Sequence, residues 1–294
     1  MRGAPVEHAW HTGPAIRPLT AREFALFQAL IHREAGIHLS EAKQALLVGR
    51  LSRRLRELGL TTFAAYYSYA TDPRNASEQV ELINRICTHE THFFREPRQF
   101  EFLEQTVIPG WHADAQAGRR AKSVRVWSAG CSSGEEPYSL AMSLLSHCPP
   151  DAGWDVEILA TDISTHVLER ARAATWPIAK ADEIPAAYLK RFMLRGRGEH
   201  QGQMKAGPEI RAAVTFRQVN LNAERVPVTG PFDLILCRNV LIYFDAAGRE
   251  RIARRLLSLL TPEGLLFLGH AESLNGLSDR PRNVIPTVYT RGPA

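Results

Sequence analysis

Apolar residues recur at helical spacing through the first third of the chain, and at strand spacing interleaved with helices through the rest. Thr20-Ala-Arg-Glu23 has the form of a capping box, and it opens a helix whose apolar face is Phe24, Phe27, Leu30 and Ile31. Gly36 ends it. Ser40 is placed to cap a second helix, which carries Leu47, Leu51, Leu55 and Leu58 inward and stops near Gly59. A tyrosine-rich helix over residues 63–70 ends at Asp72-Pro73, and a fourth opens at Ser77 with Val80, Ile83 and Ile86 on its apolar side. Together these four predict a small all-helical domain of roughly 75 residues. The stretch before about Pro18, rich in Gly, Pro and His without periodicity, reads as a disordered leader.

Beyond a helix over residues 97–107 and a small, polar, basic surface loop over 113–122, the pattern changes. Val124, Val126 and Trp127 mark a strand, and the next follows at 155–161. Val214, Phe216 and Val219 mark a third, 232–237 a central one, and 265–269 another. Helical faces lie between them: Leu140, Met142 and Leu145; Val167, Leu168 and Ala171; Ile252, Leu256, Leu257 and Leu260. Thr261-Pro-Glu-Gly264 reads as a turn, and residues 287–290 as a final edge strand. The alternation predicts an α/β fold with a doubly wound parallel sheet covered on both faces. It breaks between about residues 184 and 208. There Arg195-Gly-Arg-Gly-Glu-His-Gln-Gly-Gln-Met-Lys205 is either a disordered loop or a small β excursion able to dock a partner by strand addition.

Composition narrows the class. With 294 residues, 45% of them hydrophobic, the chain can bury one large domain and a small one. No apolar run approaches membrane-spanning length, and the amino terminus lacks the core of a signal peptide, so a cytoplasmic protein is expected. Cys87, Cys131, Cys148 and Cys237 are widely spaced, as expected of reduced thiols. The net charge of +5 is concentrated in the first third. Lys43, Arg50 and Arg54 fall on one stripe of the second helix with Arg53 and Arg56 beside it, which is either a solvated face or a surface for an anionic partner.

Candidate chemistry centres on the stretch after the first strand. Gly130 and Gly134 permit a tight turn and close backbone approach, and Pro137 suits the first turn of the following helix. The spacing is neither that of the phosphate loop nor that of the dinucleotide fingerprint, and the loop ends in Glu135 and Glu136, which would repel phosphates. A ligand offering ribose hydroxyls or a positive charge fits better, and S-adenosylmethionine has both. Asp162, at the carboxyl edge of the second strand, is placed either to hold ribose hydroxyls or simply to cap a helix. Asn220, Arg238 and Asn239 stand at the same sheet edge, where open α/β sheets bind ligands. Cys87, His89 and His92 suggest zinc, but no second ligand pair accompanies them and no metal is expected.

These motifs, in this order, resemble the CheR family of chemotaxis receptor methyltransferases. The resemblance runs from about Leu19 to about Thr290. It is carried by Thr91-His-Phe-Phe-Arg-Glu96, Ser128-Ala-Gly-Cys-Ser-Ser-Gly-Glu-Glu-Pro-Tyr-Ser139, Ala160-Thr-Asp-Ile163, Asn220-Leu-Asn222, Cys237-Arg-Asn-Val-Leu-Ile-Tyr-Phe-Asp245 and Gly269-His-Ala-Glu-Ser273. It implies a helical domain over 19–95 and a Rossmann-like class I methyltransferase domain over 96–294, with a β subdomain inserted at about 193–210. It also implies methyl transfer from S-adenosylmethionine to chemoreceptor glutamates, with S-adenosylhomocysteine as product. By motif, Thr91 and Arg95 would reach the methionyl part of the cofactor, with Glu135 or its neighbour beside it. Asp162 would hold the ribose, and Asn220, Leu221, Arg238 and Asn239 would line the adenosine side. Gly130 would let the cofactor approach, and His89 stands where some members have a cofactor-contacting asparagine. Tyr243 falls near the reacting sulfonium, and Arg95 or Arg238 could orient an anion. Lys43, Arg50, Arg53 and Arg54 would dock acidic receptor helices, and the β subdomain would hold a receptor carboxyl-terminal peptide in those members that need one.

Three other readings stay open at this level. One is a methyltransferase for amines or small molecules, against which Cys237-Arg-Asn-Val240 stands in place of an Asn-Pro-Pro-Tyr loop. Another is a regulator that binds S-adenosylmethionine without catalysis. The last is a nucleic-acid binder using the basic helix, which lacks a recognised module.

Overall fold

A computed structural model describes residues 15–275 and 281–291. The expected leader lies outside the described residues as far as residue 14. The chain divides into two compact units, residues 34–38 belonging with the second.

The first unit holds α1 (Ala21–Ala35), α2 (Gln44–Glu57), α3 (Phe63–Thr71) and α4 (Ala76–Ile86). The capping box forms as expected: Glu23 N donates to Thr20 Oγ1 at 3.2 Å and Thr20 N to Glu23 Oε2 at 2.8 Å. Phe27, Leu30, Leu47, Leu51, Leu55, Phe63 and Leu82 are fully buried or nearly so. Two expectations fail. The Ser40 side chain caps nothing, and the chain enters α2 through a 3-10 turn, Glu41–Lys43. Val80 is 42% exposed, because α4 rolls Glu78 inward instead. Glu78 Oε1 accepts from Arg54 Nε and from Tyr66 Oη, each at 2.9 Å, so an ion pair and a buried tyrosine outweigh one valine.

The second unit begins its regular structure with α5 (Pro97–Phe102), which passes through a π-turn, Leu103–Val107, into α6 (Ile108–Gln116). This helix is longer than expected and absorbs the start of the predicted loop. Then come β1 (Ser123–Ala129), α7 (Glu135–His147), β2 (Asp155–Asp162), α8 (Thr165–Ala173), β3 (Thr175–Pro177), α9 (Ala186–Phe192), β4 (Met193–Arg195), β5 (Gln203–Ala206) and α10 (Pro208–Ala212). β6 (Val214–Gln218), β7 (Phe232–Cys237), α11 (Ala246–Ser258), β8 (Leu260–Leu268), β9 (Arg282–Ile285) and β10 (Val288–Thr290) complete it.

The main sheet has the order β6-β2-β1-β7-β8-β10-β9, parallel from β6 to β8. β10 pairs antiparallel with both β8 and β9, so residues 288–290 are interior and β9 forms the edge. Leu260 and the residues expected to turn at 261–264 lie within β8, where a register shift opposite Phe232 and Leu234 absorbs them as a bulge. Alternation along β1 sends Val124 and Val126 to one core and Trp127 and Ala129 to the other, as a sheet covered on both faces requires. The glycine-rich basic stretch is a β excursion. β3, β5 and β4 form a separate antiparallel sheet in that order, which reaches back to Thr175.

The chain runs β1, β2, β6 outward in one direction and then returns to place β7 against the other side of β1. The reversal opens a crevice beyond the carboxyl ends of β1 and β7, where such sheets bind ligands.

Candidate cofactor and methyl-transfer site

The loop after β1 turns through Gly130 at φ +93°, Ser132 at +48° and Gly134 at +97°. Glycine is required twice. A Cβ on Gly130 would meet Val240 Cγ2 at 2.4 Å, and one on Gly134 would meet the α8 backbone at Ala171 Cα at 3.1 Å. Gly130 N and Cys131 N donate to Thr161 O at 2.7 and 2.8 Å, tying the loop to the end of β2. Asp162 follows there, 8% exposed, with Oδ2 accepting from Ser132 N and Oδ1 from Ser164 N, both at 2.9 Å. It therefore braces the glycine loop, and each oxygen keeps lone-pair capacity for a ligand donor. Burial pushes its carboxyl above the ordinary aspartate range, against those backbone donors and the nearby His89.

Residues 88–95 lie over this loop. Ser132 Oγ donates to His89 O at 3.2 Å, Phe94 N to Ser139 Oγ at 2.9 Å and Phe93 N to Glu183 Oε2 at 2.9 Å. Lys180 Nζ reaches Thr91 O at 3.1 Å and Glu135 Oε1 at 2.8 Å. Phe93 packs edge-on against Trp176, and Phe94 stacks on Tyr188. Partial desolvation and the nearby Arg95 push His92 below the ordinary histidine range, against Glu183, which favours the charged ring. Arg95 is half-buried and donates to Glu90 O at 3.1 Å.

The two glutamates at the start of α7 divide their work. Glu135, 1% exposed, holds Lys180 and Ser133 Oγ. Glu136 accepts from Ser128 Oγ and from Arg238 Nε, each at 2.7 Å. The Arg238 guanidinium, placed by its motif on the adenosine side, turns inward. It also donates to Gln99 Oε1 at 3.0 Å, lies 3.7 Å from Glu96 Oε2, and sits over the Phe100 ring.

The second loop, after β7, takes Asn239 through φ +58° and then a 3-10 turn, Leu241–Tyr243. Asn239 Oδ1 and Ser164 Oγ are buried and have no hydrogen-bond partner among the described residues. Such atoms cost stability unless something completes them, and ligand N–H or O–H donors would suit both. The residues present therefore fit an adenosine-bearing ligand. Asn220 is engaged by backbone, donating to Glu34 O at 2.6 Å and accepting from Asn222 N at 2.9 Å, with Leu221 buried next to it. Tyr243 is half-buried, its carbonyl accepting from His38 N at 2.7 Å.

The structure thus brings His89, Thr91, Gly130, Glu135, Asp162, Arg238 and Asn239 to neighbouring turns at one sheet edge, with Asn220 and Leu221 after β6 and Tyr243 in the second loop. Of the proposed docking cations, all in the helical unit, Lys43 in the 3-10 turn before α2 and Arg53 on α2 are exposed. Arg50 Nη1 donates to Arg85 O at 3.0 Å, and Arg54 is committed to Glu78. Sequence reasoning missed Lys180, Glu96, Gln99 and Glu272. Glu96 and Glu272 had a signal, their places in the Thr91-to-Glu96 and Gly269-to-Ser273 motifs. Among the described residues no three His, Cys, Asp or Glu side chains group as metal ligands, and no helix is long and apolar enough to cross a membrane.

Comparison with known proteins matches two family descriptions in tandem. "CheR methyltransferase, all-alpha domain" covers residues 22–87, and "CheR methyltransferase, SAM binding domain" covers residues 89–290. Among curated relatives, chemotaxis protein methyltransferase 2 of Pseudomonas aeruginosa is 39% identical, over 92% of this chain and 93% of its own length. The chemotaxis protein methyltransferase of Escherichia coli is 40% identical over 92% of this chain and 91% of its own, and that of Borreliella burgdorferi 35% identical over 93% and 95%. The expected doubly wound, class I methyltransferase architecture and the expected S-adenosylmethionine cofactor accord with these matches and with the sheet order. The chain belongs to the CheR methyltransferase family.

Proposed function

We propose that this protein transfers the methyl group of S-adenosylmethionine to glutamate side chains of chemoreceptors, releasing S-adenosylhomocysteine, in chemotaxis adaptation. The observation that carries the reading is the buried Asp162 at the switch-point crevice, bracing the glycine loop through Oδ2 and its own following turn through Oδ1, in a chain of this family. Bound there, the cofactor would supply an electrophilic sulfonium methyl whose carbon an acceptor carboxylate oxygen attacks in line, a C–O bond forming as the C–S bond breaks and the neutral thioether S-adenosylhomocysteine leaves. A glutamate is already ionised at neutral pH, so no side chain here needs to act as a general base. The protein's task is alignment and exclusion of water. In this reading Asp162 accepts from the ribose, and Asn239, with Asn220 and Leu221, holds the adenosine. Glu135, Thr91, His89 and Arg95 surround the methionyl part, and Tyr243 lies beside the reacting carbon with Arg95 orienting the incoming anion.

The helical unit serves as the recognition module and the second unit, which includes residues 88–95, as the transferase. At the start and along the face of α2, Lys43 of the preceding 3-10 turn and Arg53 meet the acidic receptor helix directly, while Arg50 and Arg54 shape that surface from behind. The second sheet offers a site for a receptor carboxyl-terminal peptide. β4 is one of its edges, and a cleft of about 380 Å³ there is lined by Leu194, Arg195, Arg197, His200 and Lys205 among others. The protein acts in the cytoplasm, on the cytoplasmic part of its receptors.

Transfer of labelled methyl to receptor cytoplasmic fragments, scored as base-labile ester, tests the activity. Ester formation lost on Asp162→Ala is the expected result. Tight binding of S-adenosylhomocysteine without ester on any receptor would make the protein a regulator instead. The docking face is tested by Lys43→Glu with Arg53→Glu. We expect a KM for receptor raised about tenfold at low salt, less at high salt, with cofactor affinity unchanged. An unchanged KM would remove α2 from the recognition surface.

A further inference from the structure

The turn after β8 sends Glu272 beneath the loop that follows β7. Its side chain is buried, and both carboxylate oxygens accept from backbone. Oε2 takes Gly269 N at 2.7 Å and Asn239 N at 2.8 Å; Oε1 takes Val240 N at 2.9 Å and Ile242 N at 3.3 Å. Three of these donors belong to the neighbouring loop. Isolated N–H groups in a tight turn have no partner of their own, and one carboxylate converging on several fixes the turn as a unit.

The turn so fixed is a costly one. Asn239 is a non-glycine residue at φ +58°, and its Oδ1 is buried without a partner among the described residues. Close packing enforces the same arrangement: a Cβ on Gly269 would meet Asn239 N at 2.8 Å. A brace serving the fold alone would have no reason to hold an amide with its oxygen unsatisfied. We propose that Glu272 is a positioning residue for methyl transfer: by collecting the N–H groups of Asn239, Val240 and Ile242 it holds the Asn239 amide toward the adenosine side of the crevice. The proposal rests on the cofactor reading of the site given above.

Glu272→Gln and Glu272→Asp in the full chain test it. Glutamine presents one acceptor oxygen and one NH2, so it sets donor against donor at two of the four N–H groups. Aspartate keeps the charge but falls one methylene short. The Kd for S-adenosylhomocysteine and the KM for S-adenosylmethionine are expected to rise about tenfold or more for Gln and less for Asp. The KM for the receptor fragment should stay within about twofold, since that surface is not held by Glu272. Amide exchange at residues 239–242 should accelerate in the same order. Should the Gln variant fail to fold, the Asp variant carries the comparison. Cofactor affinity within about twofold of wild type in a folded variant, with only the melting temperature lowered, makes Glu272 a brace of the fold and overturns the proposal. If wild-type protein itself does not bind S-adenosylhomocysteine, the site reading falls and this assignment falls with it.

Discussion

The loops after β1 and β7 solve one problem in two ways. Both must turn sharply at the carboxyl edge of adjacent parallel strands, and both are held by a buried carboxylate from elsewhere in the chain. The first loop uses Gly130 and Gly134 for its positive φ values and is braced at one N–H by Asp162, two oxygens shared between Ser132 and Ser164. The second has Asn239 where glycine would be cheaper, and needs Glu272 at three of its own N–H groups. A loop built of glycines offers a ligand only backbone, whereas a loop with a strained asparagine offers a side chain at the cost of a stronger brace. Arg238 links them, starting the second loop while its guanidinium pairs with Glu136 behind the first.

The largest test of that link is Arg238→Met. It leaves Glu136 and Glu96 buried beside an apolar side chain, and loss of one partner from a buried ion pair costs about 3–5 kcal/mol. Chemical denaturation should show that loss. A cost below about 1 kcal/mol would mean that the two loops are held independently. Asp162→Asn comes next. It keeps the shape and removes the charge, so S-adenosylhomocysteine affinity should fall by about 2–3 kcal/mol, roughly 30- to 160-fold. The wild type adds a pH signature. Burial raises the Asp162 pKa in the folded protein, so this group costs stability at neutral pH and returns it as pH falls through that raised value. Ribose donors favour the carboxylate, so cofactor affinity should weaken on acidification before an ordinary aspartate would protonate. Calorimetry in buffers of different ionisation heat should detect proton release on binding in that window, and Asp162→Asn should abolish it.

Much of the first loop was legible because its signals are local. A strand ending in Gly-Cys-Ser-Ser-Gly and another ending in Asp162 can be read directly, since a parallel sheet puts neighbouring strand ends side by side. Glu272 and Gln99 were not legible in that way. Each acts on backbone distant in sequence, Gln99 on Leu268 O at 2.7 Å, and no periodicity encodes such a contact. Arg238 was read as facing the ligand because its position on the strand edge is visible, while the inward turn of its side chain depends on Glu136 and Glu96. The same limit explains Val80 and Glu78 in α4, where an ion pair with Arg54 overrode the apolar stripe. Elements in the bulge of β8 and at the interior strand β10 were misplaced because Pro262 and Gly264 suggest a turn, and the last strand of a chain suggests an edge.

A smaller effect is expected where the loops touch. Gly130→Ala drives a methyl into Val240 Cγ2 at a φ that disfavours any Cβ, for about 2–3 kcal/mol. Val240→Ala removes the clash but leaves the strain. The double variant should therefore recover about 1 kcal/mol relative to the sum of the singles, and strict additivity would show that the contact is slack.

The smallest stability change separates what Asn239 does for the fold from what it does for the ligand. Asn239→Gly relieves the left-handed conformation and forfeits chain entropy of similar size, so unfolding free energy should move by no more than about 0.5 kcal/mol. The same change removes the buried Oδ1 acceptor, and one hydrogen bond to a ligand is worth about 0.5–1.5 kcal/mol, up to roughly tenfold in Kd for S-adenosylhomocysteine. Affinity lost at constant stability would show that the strain at Asn239 is maintained for the cofactor. Affinity retained would leave the second loop as a costlier version of the first, and the contrast between them would be one of folding rather than of function.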